Sequence, residues 1–252
     1  MFTKTKKNIY EEFSILQTID KNKFPNHIFI IPDGNGRWAK EHNTFVTAGH
    51  KRGFEVAEKI MRELSQIQEI KIVTMWGFSA DNWKRSEKEI EGLMYIFVQV
   101  LKKVLKEFNQ TNRRFVHIGR KDRMPKKLLD LIIKAEKDTE KNSGQIMCLA
   151  LDFSGEDQFI RMVDKARLID SDVPTTKELV DSLKDANGLI PSADLLIRTA
   201  NEKRTSDVGW LNGISTELFF IDKLFPDIST KDIIDAIVDF SKRERRFGAR
   251  IK

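Results

Sequence analysis

Asp33-Gly34-Asn35-Gly36-Arg37-Trp38 packs an acid, two glycines, an amide, an arginine and a tryptophan into consecutive positions. Gly34 and Gly36 free the backbone to turn its N–H groups toward an anion, and Arg37 adds a fork of donors. A carboxylate beside an anion site calls for a cation between them. Mg²⁺, which binds through one or two carboxylates plus substrate phosphates, is the natural bridge for Asp33. Asp-Gly and Asn-Gly are also common turn pairs, so on these residues alone a surface turn competes evenly with an anion site. Two later stretches repeat the mixture of acid, amide, hydroxyl and arginine. They are Ser79-Ala80-Asp81-Asn82-Trp83-Lys84-Arg85-Ser86 and Arg198-Thr199-Ala200-Asn201-Glu202-Lys203-Arg204-Thr205-Ser206. His50, in Gly49-His50-Lys51-Arg52-Gly53, adds an imidazole near a helix start, where free N–H groups favour an anion. Arg37, Arg85, Arg198 and Arg204 with His50 are more cation than one phosphate needs; two diphosphates would use them.

These stretches need a scaffold that brings them together. Apolar runs at 27–31, 71–78, 115–119, 145–153, 193–198 and 217–221 read as strands, apolar throughout as in a covered parallel sheet. Pro32 ends the first, where a missing N–H is tolerable. Helical spacing recurs from 49 to 67 (Val56, Ile60, Leu64, Ile67) and over 126–139, about 155–169, 176–186 and 232–245. Ser86 with Glu89 reads as a capping box opening a further long helix. That helix is apolar nearly all round between Leu93 and Leu101, so it is buried or lines a greasy cavity. Strands alternating with helices give an α/β fold: a single domain over residues 25–252 with a central six-stranded, mostly parallel sheet flanked by helices on both faces. In such a sheet the three polar loops converge on one rim. Residues 1–24, lysine-rich with Phe13, Ile15 and Leu16 interspersed, read as a flexible or helical arm, either an ordinary floppy terminus or a segment resting on an acidic membrane.

The net charge of +6 favours anionic partners. A lone Cys148, set in an apolar run, excludes an intrachain disulfide and fits a reducing compartment. No run approaches the roughly twenty apolar residues that span a bilayer, and no apolar segment follows the N-terminal lysines as in a secretory signal. A cytoplasmic protein is the expectation.

The ordered motifs resemble one family. His27-x₅-Asp33-Gly34-Asn35-Gly36-Arg37-Trp38-Ala39 is similar to the first signature of the cis-prenyltransferases, the undecaprenyl diphosphate synthase family. Gly49-His50-x₂-Gly53 and Phe78-Ser79-x₂-Asn82-Trp83-x-Arg85-x₃-Glu89 resemble its next two motifs. Asp194 to Arg198, Thr199-x₂-Glu202-x-Arg204-x-Ser206, Glu217-Leu218 and Phe225-Pro226-Asp227 resemble its C-terminal signature, and Glu244-Arg245-Arg246-Phe247-Gly248 its closing Arg-x-Gly element. The resemblance implies condensation of isopentenyl diphosphate with an allylic diphosphate to give a Z double bond. It implies that Asp33 holds Mg²⁺, with Glu217 helping to position metal or arginines. Gly34, Asn35, Gly36, Arg37, Trp38 and His50 would bind the allylic diphosphate; Arg198, Arg204, Thr205 and Ser206 would bind isopentenyl diphosphate. Asn82 with Ser79 would assist proton removal, on a turn completed by Ala80, Asp81, Trp83 and Arg85. A neutral amide is a poor base, so Asn82 is expected to orient a water or the diphosphate that takes the proton. The helix from Leu93 to Leu101 becomes a wall of the product tunnel. The resemblance also implies a homodimer, Arg246 and Gly248 completing a neighbouring subunit's diphosphate site.

The chain departs from that pattern in places. Val46 stands where the family generally keeps a loop arginine, and losing one charge-assisted contact costs roughly 1.5–3 kcal/mol. Phe153-Ser154-Gly155-Glu156 replaces Tyr-Gly-Gly-Arg, Asp207 to Asn212 replaces Asn-Phe-Leu-Leu-Trp-Gln, and Pro32 replaces a usual methionine. These changes bear on the acceptor, the product length and the mode of coupling. A specialised relative making a short, branched or cyclised prenyl diphosphate is therefore one alternative. A non-catalytic subunit on the same fold is another, against which the intact Asp33–Arg37 loop stands. The absence of Asp-Asp-x-x-Asp argues against a trans-prenyltransferase. The basic tail has a local role in the Arg-x-Gly element, so nucleic acid is not an expected partner.

Overall fold

In the computed structural model, which describes residues 8–208 and 215–246 (the side chains of Val104 and Lys106 apart), the apolar runs form one sheet. Its strands are β1 (His27–Ile31), β2 (Ile72–Ser79), β3 (Arg114–Ile118), β4 (Ile146–Phe153), β5 (Leu195–Arg198) and β6 (Glu217–Phe220). The order is β3-β4-β2-β1-β5-β6, and every neighbouring pair is parallel. Every residue of β1 and β5 is buried, which explains apolar runs without alternation. The chain steps outward from β1 to β2 and on to β3 at the edge, inserts β4 between those two, then returns past β1 to lay down β5 and β6. Strand ends that carry ligands in open α/β sheets meet at such a reversal.

Helices flank the sheet, and those between consecutive strands from β1 to β5 supply the crossovers that parallel neighbours require. The helices are α1 (Ile9–Glu12), α2 (Asn35–Glu41), α3 (Val46–Leu64), α4 (Glu87–Gln110), α5 (Lys126–Thr139), α6 (Gly155–Ala166), α7 (Lys177–Leu183) and α8 (Thr230–Lys242). The larger core lies on one face, where Ile28, Ile30, Met75 and Leu149 meet α3, α4, α5 and α8. Ile233, Ile234, Ile237 and Phe240 point inward as their spacing requires. The smaller core lies on the other face, where Phe29, Ile31, Cys148 and Leu196 meet Ile190, Ala193 and Val208. α6 joins that side through Arg161 and Gln158, which bond Asp185. Burial pushes the Cys148 thiol up to about 12, so it is an inert core group.

Three local expectations change. The segment after Asp33 is not an open loop: Gly34, at φ 107°, caps α2, which begins at Asn35. Ser86 makes no side-chain cap at the start of α4, and the carboxylate of Glu89, which would complete a capping box, is engaged by Arg85 and His50 instead. From Asn8 onward the N-terminal segment is docked rather than floppy. α1 and the short turns Ser14–Thr18 and Lys21–Lys23 bury Ile9, Leu16 and Phe24 in the larger core. Among the described residues no helix is long and apolar enough to cross a membrane.

Candidate active site

Three strand ends meet on Asp33. The carbonyl of Asp33 accepts from the Thr199 hydroxyl at 2.7 Å and from the Phe225 amide at 3.0 Å. Its carboxylate accepts from Arg198 Nη2 at 2.9 Å and Arg37 Nη2 at 3.3 Å. Arg198, closing β5 and only 4% exposed, also donates from Nη1 to the Arg204 carbonyl and the Ser206 hydroxyl, each at 2.7 Å. Its buried Nε has no partner among the described residues. A buried guanidinium persists only when paired and hydrogen-bonded, so Arg198 is a fixed cation between the loops after β1 and β5. Gly34 allows this convergence, because a Cβ there would press on Leu224 and Ala200. The first turn of α2 leaves its N–H groups without intrahelical acceptors, next to Asp33 and Arg37.

The second polar stretch is placed by a bulge. Trp76 pairs with Ala150 but Phe78 with Leu151, so Gly77 is the extra residue of β2. A Cβ at Gly77 would meet Leu151 and the ring of Phe97. Beyond the bulge a tight turn, Ala80–Lys84, carries Asn82, whose Oδ1 accepts from the Ser79 amide at 3.0 Å. With its oxygen already accepting from Ser79, Asn82 can present its amide N–H₂ to a cavity ligand as a donor, and a neutral amide is not a base. Arg85 and His50 share Glu89, at 2.9 and 3.2 Å. Burial holds the His50 imidazole below its ordinary range, against the opposing pull of Glu89.

Gly49 and Gly53 have a packing role that spacing alone did not suggest. A Cβ at Gly49 would overlap the Asn35 carbonyl, and one at Gly53 the Asn35 side-chain oxygen. The two glycines let α3 lie against the start of α2, which brings His50 to the same cavity as Asp33.

That cavity has a volume of about 650 Å³, within the usual range for ligand sites. Asp33, Asn35, His50, Ser79, Ala80, Asp81, Asn82, Arg85, Arg198 and Ser206 line its polar end. An apolar limb runs inward between α3, α4 and the sheet past Phe54, Ala57, Met75, Leu93, Phe97 and Leu149. Phe54 and Phe97 meet edge to face there, with ring centroids 5.0 Å apart. Beyond them a void of about 50 Å³ is bounded by Met61, Leu101 and Phe108, and by Arg62, Glu107 and Arg113.

Other sequence-selected residues lie outside this lining. Gly34, Gly36 and Arg37 sit beside the polar end on α2 and its cap. Trp38 stacks on His42 at 4.0 Å and donates to Asp227 at 2.7 Å. Trp83 packs behind the turn on Phe78. Arg204 and Thr205 stand on the loop above Ser206. Val46 is exposed at the first position of α3. Glu217 is not brought to Asp33. It pairs in register with Leu195 at the opening end of β6, the opposite rim of the sheet, and accepts from Arg243 at 2.8 Å. Arg246 pairs with Glu244 in its own chain, and Gly248 lies outside the described residues, as does the departure at Gly209 to Asn212.

One residue that the candidate set omitted organises the arginines. Glu202 binds Arg37 at 3.1 Å and also Arg204, joining the cation of the first loop to that of the third. Its signal was present in sequence, as an acid set between Arg198 and Arg204 of the third polar stretch. Among the described residues no three or more His, Cys, Asp or Glu side chains form a metal cage. The donor set at Asp33, one hard carboxylate beside anion-binding groups, fits a Mg²⁺ completed by ligand oxygens rather than one held by protein alone.

The chain's likeness to known proteins agrees with this geometry. A family model described as "Putative undecaprenyl diphosphate synthase" matches residues 31–248. An isoprenyl transferase of Aquifex pyrophilus is 39% identical over 226 residues, covering 90% of this chain and 96% of that protein. One from Treponema denticola is 36% identical over 222 residues, covering 88% and 96%. Among solved structures, lavandulyl diphosphate synthase from Lavandula x intermedia, in complex with dimethylallyl diphosphate, superposes with a TM-score of 0.84 at 33% identity, over 90% of this chain and 99% of that one. A probable undecaprenyl diphosphate synthase from Campylobacter jejuni shares the fold, with a TM-score of 0.73 at 24% identity over 89% and 98%. Matched along nearly its whole length by sequence and by fold, the chain belongs to the undecaprenyl diphosphate synthase family, the cis-prenyltransferases.

Proposed function

We propose that the cavity condenses isopentenyl diphosphate with an allylic diphosphate to give a Z-prenyl diphosphate. The observation that carries this is the contact of Arg198 with Asp33, at 2.9 Å, where two strand ends close over an apolar limb. Diphosphates need the cations; a prenyl chain needs the limb. The start of α2, Arg37 and His50 take the allylic diphosphate, and Arg198, Arg204 and Ser206 take the other. Asp33 pairs with both Arg198 and Arg37. On binding, the arginines exchange Asp33 for phosphate oxygens and free its carboxylate for Mg²⁺. When bound, that metal supplies positive charge to the departing diphosphate. Asn82 donates to the diphosphate or to a water near the carbon that loses its proton, and the diphosphate oxygens accept that proton. Phe54 and Phe97 narrow the limb, which favours a short product chain.

The enzyme acts as a cytoplasmic homodimer, with the Arg-x-Gly element of each chain reaching the other's diphosphate site, and it meets a membrane surface to release its product. Incubation with Mg²⁺, isopentenyl diphosphate and dimethylallyl, geranyl or farnesyl diphosphate, followed by product mass analysis, tests the reading. Z-products lengthened by whole isoprene units are expected. Coupling of two dimethylallyl diphosphates without isopentenyl diphosphate would replace it with irregular coupling, and no product from any pair would remove it.

A further inference from the structure

Asp152 lies at the end of β4, fully buried and with a left-handed backbone, φ 51°. A buried carboxylate is tolerated only when paired and hydrogen-bonded. Its partner is Arg123, from the loop between β3 and α5, which grips both oxygens, at 2.7 and 2.5 Å. This bidentate contact fixes the plane of the guanidinium as well as its place. The same group lies over the ring of Trp83, 6.0 Å from its centroid. On another side Trp83 meets Phe78 edge to face, at 5.1 Å and 74°. Trp83 is therefore held between a ring rooted in β2 and a cation rooted in β4. It directly follows Asn82 in the turn Ala80–Lys84, and Asn82 lines the cavity while Arg123, Asp152 and Trp83 do not. The turn's own ion pair, Asp81 with Lys84, is exposed on both sides and adds little.

We propose that Arg123, anchored by Asp152, is a positioning residue that sets Asn82 over the cavity through the face of Trp83. The inference rests on the reading that the turn handles the second substrate. A lysine at 123 keeps a positive charge for Asp152 but loses the planar fork and the flat face that lies on the ring. Arg123→Lys is therefore the informative variant, and Arg123→Ala, which strands a buried carboxylate, is the folding control.

The test measures kcat/KM with isopentenyl diphosphate varied, and separately the Kd of the allylic diphosphate, which α2 holds. Arg123→Lys is expected to keep a near-native Tm and allylic Kd while losing about tenfold in kcat/KM, the scale of a small misplacement of a reacting partner. In a Trp83→Leu background, which removes the ring that Arg123 acts through, the same Arg123→Lys change is expected to cost less than about twofold. Full kcat/KM in Arg123→Lys, or an equal loss with and without the Trp83 ring, would overturn the inference. Asn82→Ala is the reference: a full rate there sinks the reading of the turn itself, whereas a large loss there with a normal Arg123→Lys sinks only the role of Arg123.

Discussion

Arg198 shows how one side chain gives the site its charge. It is buried, spends both terminal nitrogens on Asp33, Arg204 and Ser206, and keeps one buried donor without a partner among the described residues. Removing the carboxylate of Asp33 leaves this cation in place but takes away the hard oxygen ligand that Arg198 and Arg37 both bond. Asp33→Asn is expected to lower kcat by at least about a hundredfold, the scale seen when one charge-stabilising group is lost. Its fold, followed by circular dichroism, should persist, because the amide oxygen still accepts from Arg198. Retention of near-normal turnover at saturating Mg²⁺ would rule out Asp33 as the metal's ligand. At this scale the sequence was informative wherever residue type alone names the chemistry, as for Asp33, Arg37, Asn82 and Arg198. It was silent on Arg123 and Asp152. Their importance comes from a loop residue meeting a strand residue 29 positions away in the chain, and no local pattern marks such a pair.

At the scale of elements, glycines and aromatic rings decide how closely helices approach the site. Gly49 and Gly53 read as the opening of a helix; in the fold they are the contact surface between α3 and Asn35. The limb beneath the site is shaped by Phe54 on α3 and Phe97 on α4. Phe54 is only partly buried, so its truncation opens space without gutting the core. Phe54→Ala is expected to lengthen the prenyl product by at least one isoprene unit, read by mass spectrometry, at a stability cost below the ~3–5 kcal/mol of a buried phenylalanine. An unchanged product distribution from a folded variant would mean that the rings do not limit the chain. The missed helix α2 has a clear cause. Asp-Gly-Asn-Gly carries strong turn signals, and only packing against α3 turns this stretch into helix.

For the whole molecule, two buried histidines of the sheet, His27 on β1 and His117 on β3, set an acid limit. His27 bonds the Pro191 carbonyl and the Thr74 hydroxyl, and His117 bonds the Leu151 carbonyl. Burial drives both from the ordinary 6.5 to about 4. The unfolded chain therefore binds more protons than the folded one between these values. Stability is full above pH 6.5, falls as pH drops, and stops falling on this account near pH 4. Each group contributes at most roughly 3 kcal/mol over that window. Urea unfolding between pH 7 and about 5.5, where few ordinary carboxylates titrate, should show the decline, and His117→Gln should remove roughly half of it, leaving the share of His27. A flat profile in the parent protein would contradict the burial of neutral imidazoles.

The apolar runs by themselves determined six strands, because a residue covered on both faces of a parallel sheet has no polar alternative. The spacing of acids, amides and arginines pointed to anion chemistry at the ends of three of them, and the ordered motifs named the family. Tertiary structure decided what spacing cannot carry. It decided that Asp33 and Glu217 lie at opposite rims, since strand register sets position along a sheet regardless of family motif. It put Glu202 between two arginines from different loops and Phe54 against Phe97 across two helices. Docking of Ile9 and Leu16 turned a lysine-rich terminus into part of the core. Each of these depends on contacts between residues distant in the chain, whose free energy exists only once the sheet has brought them within reach.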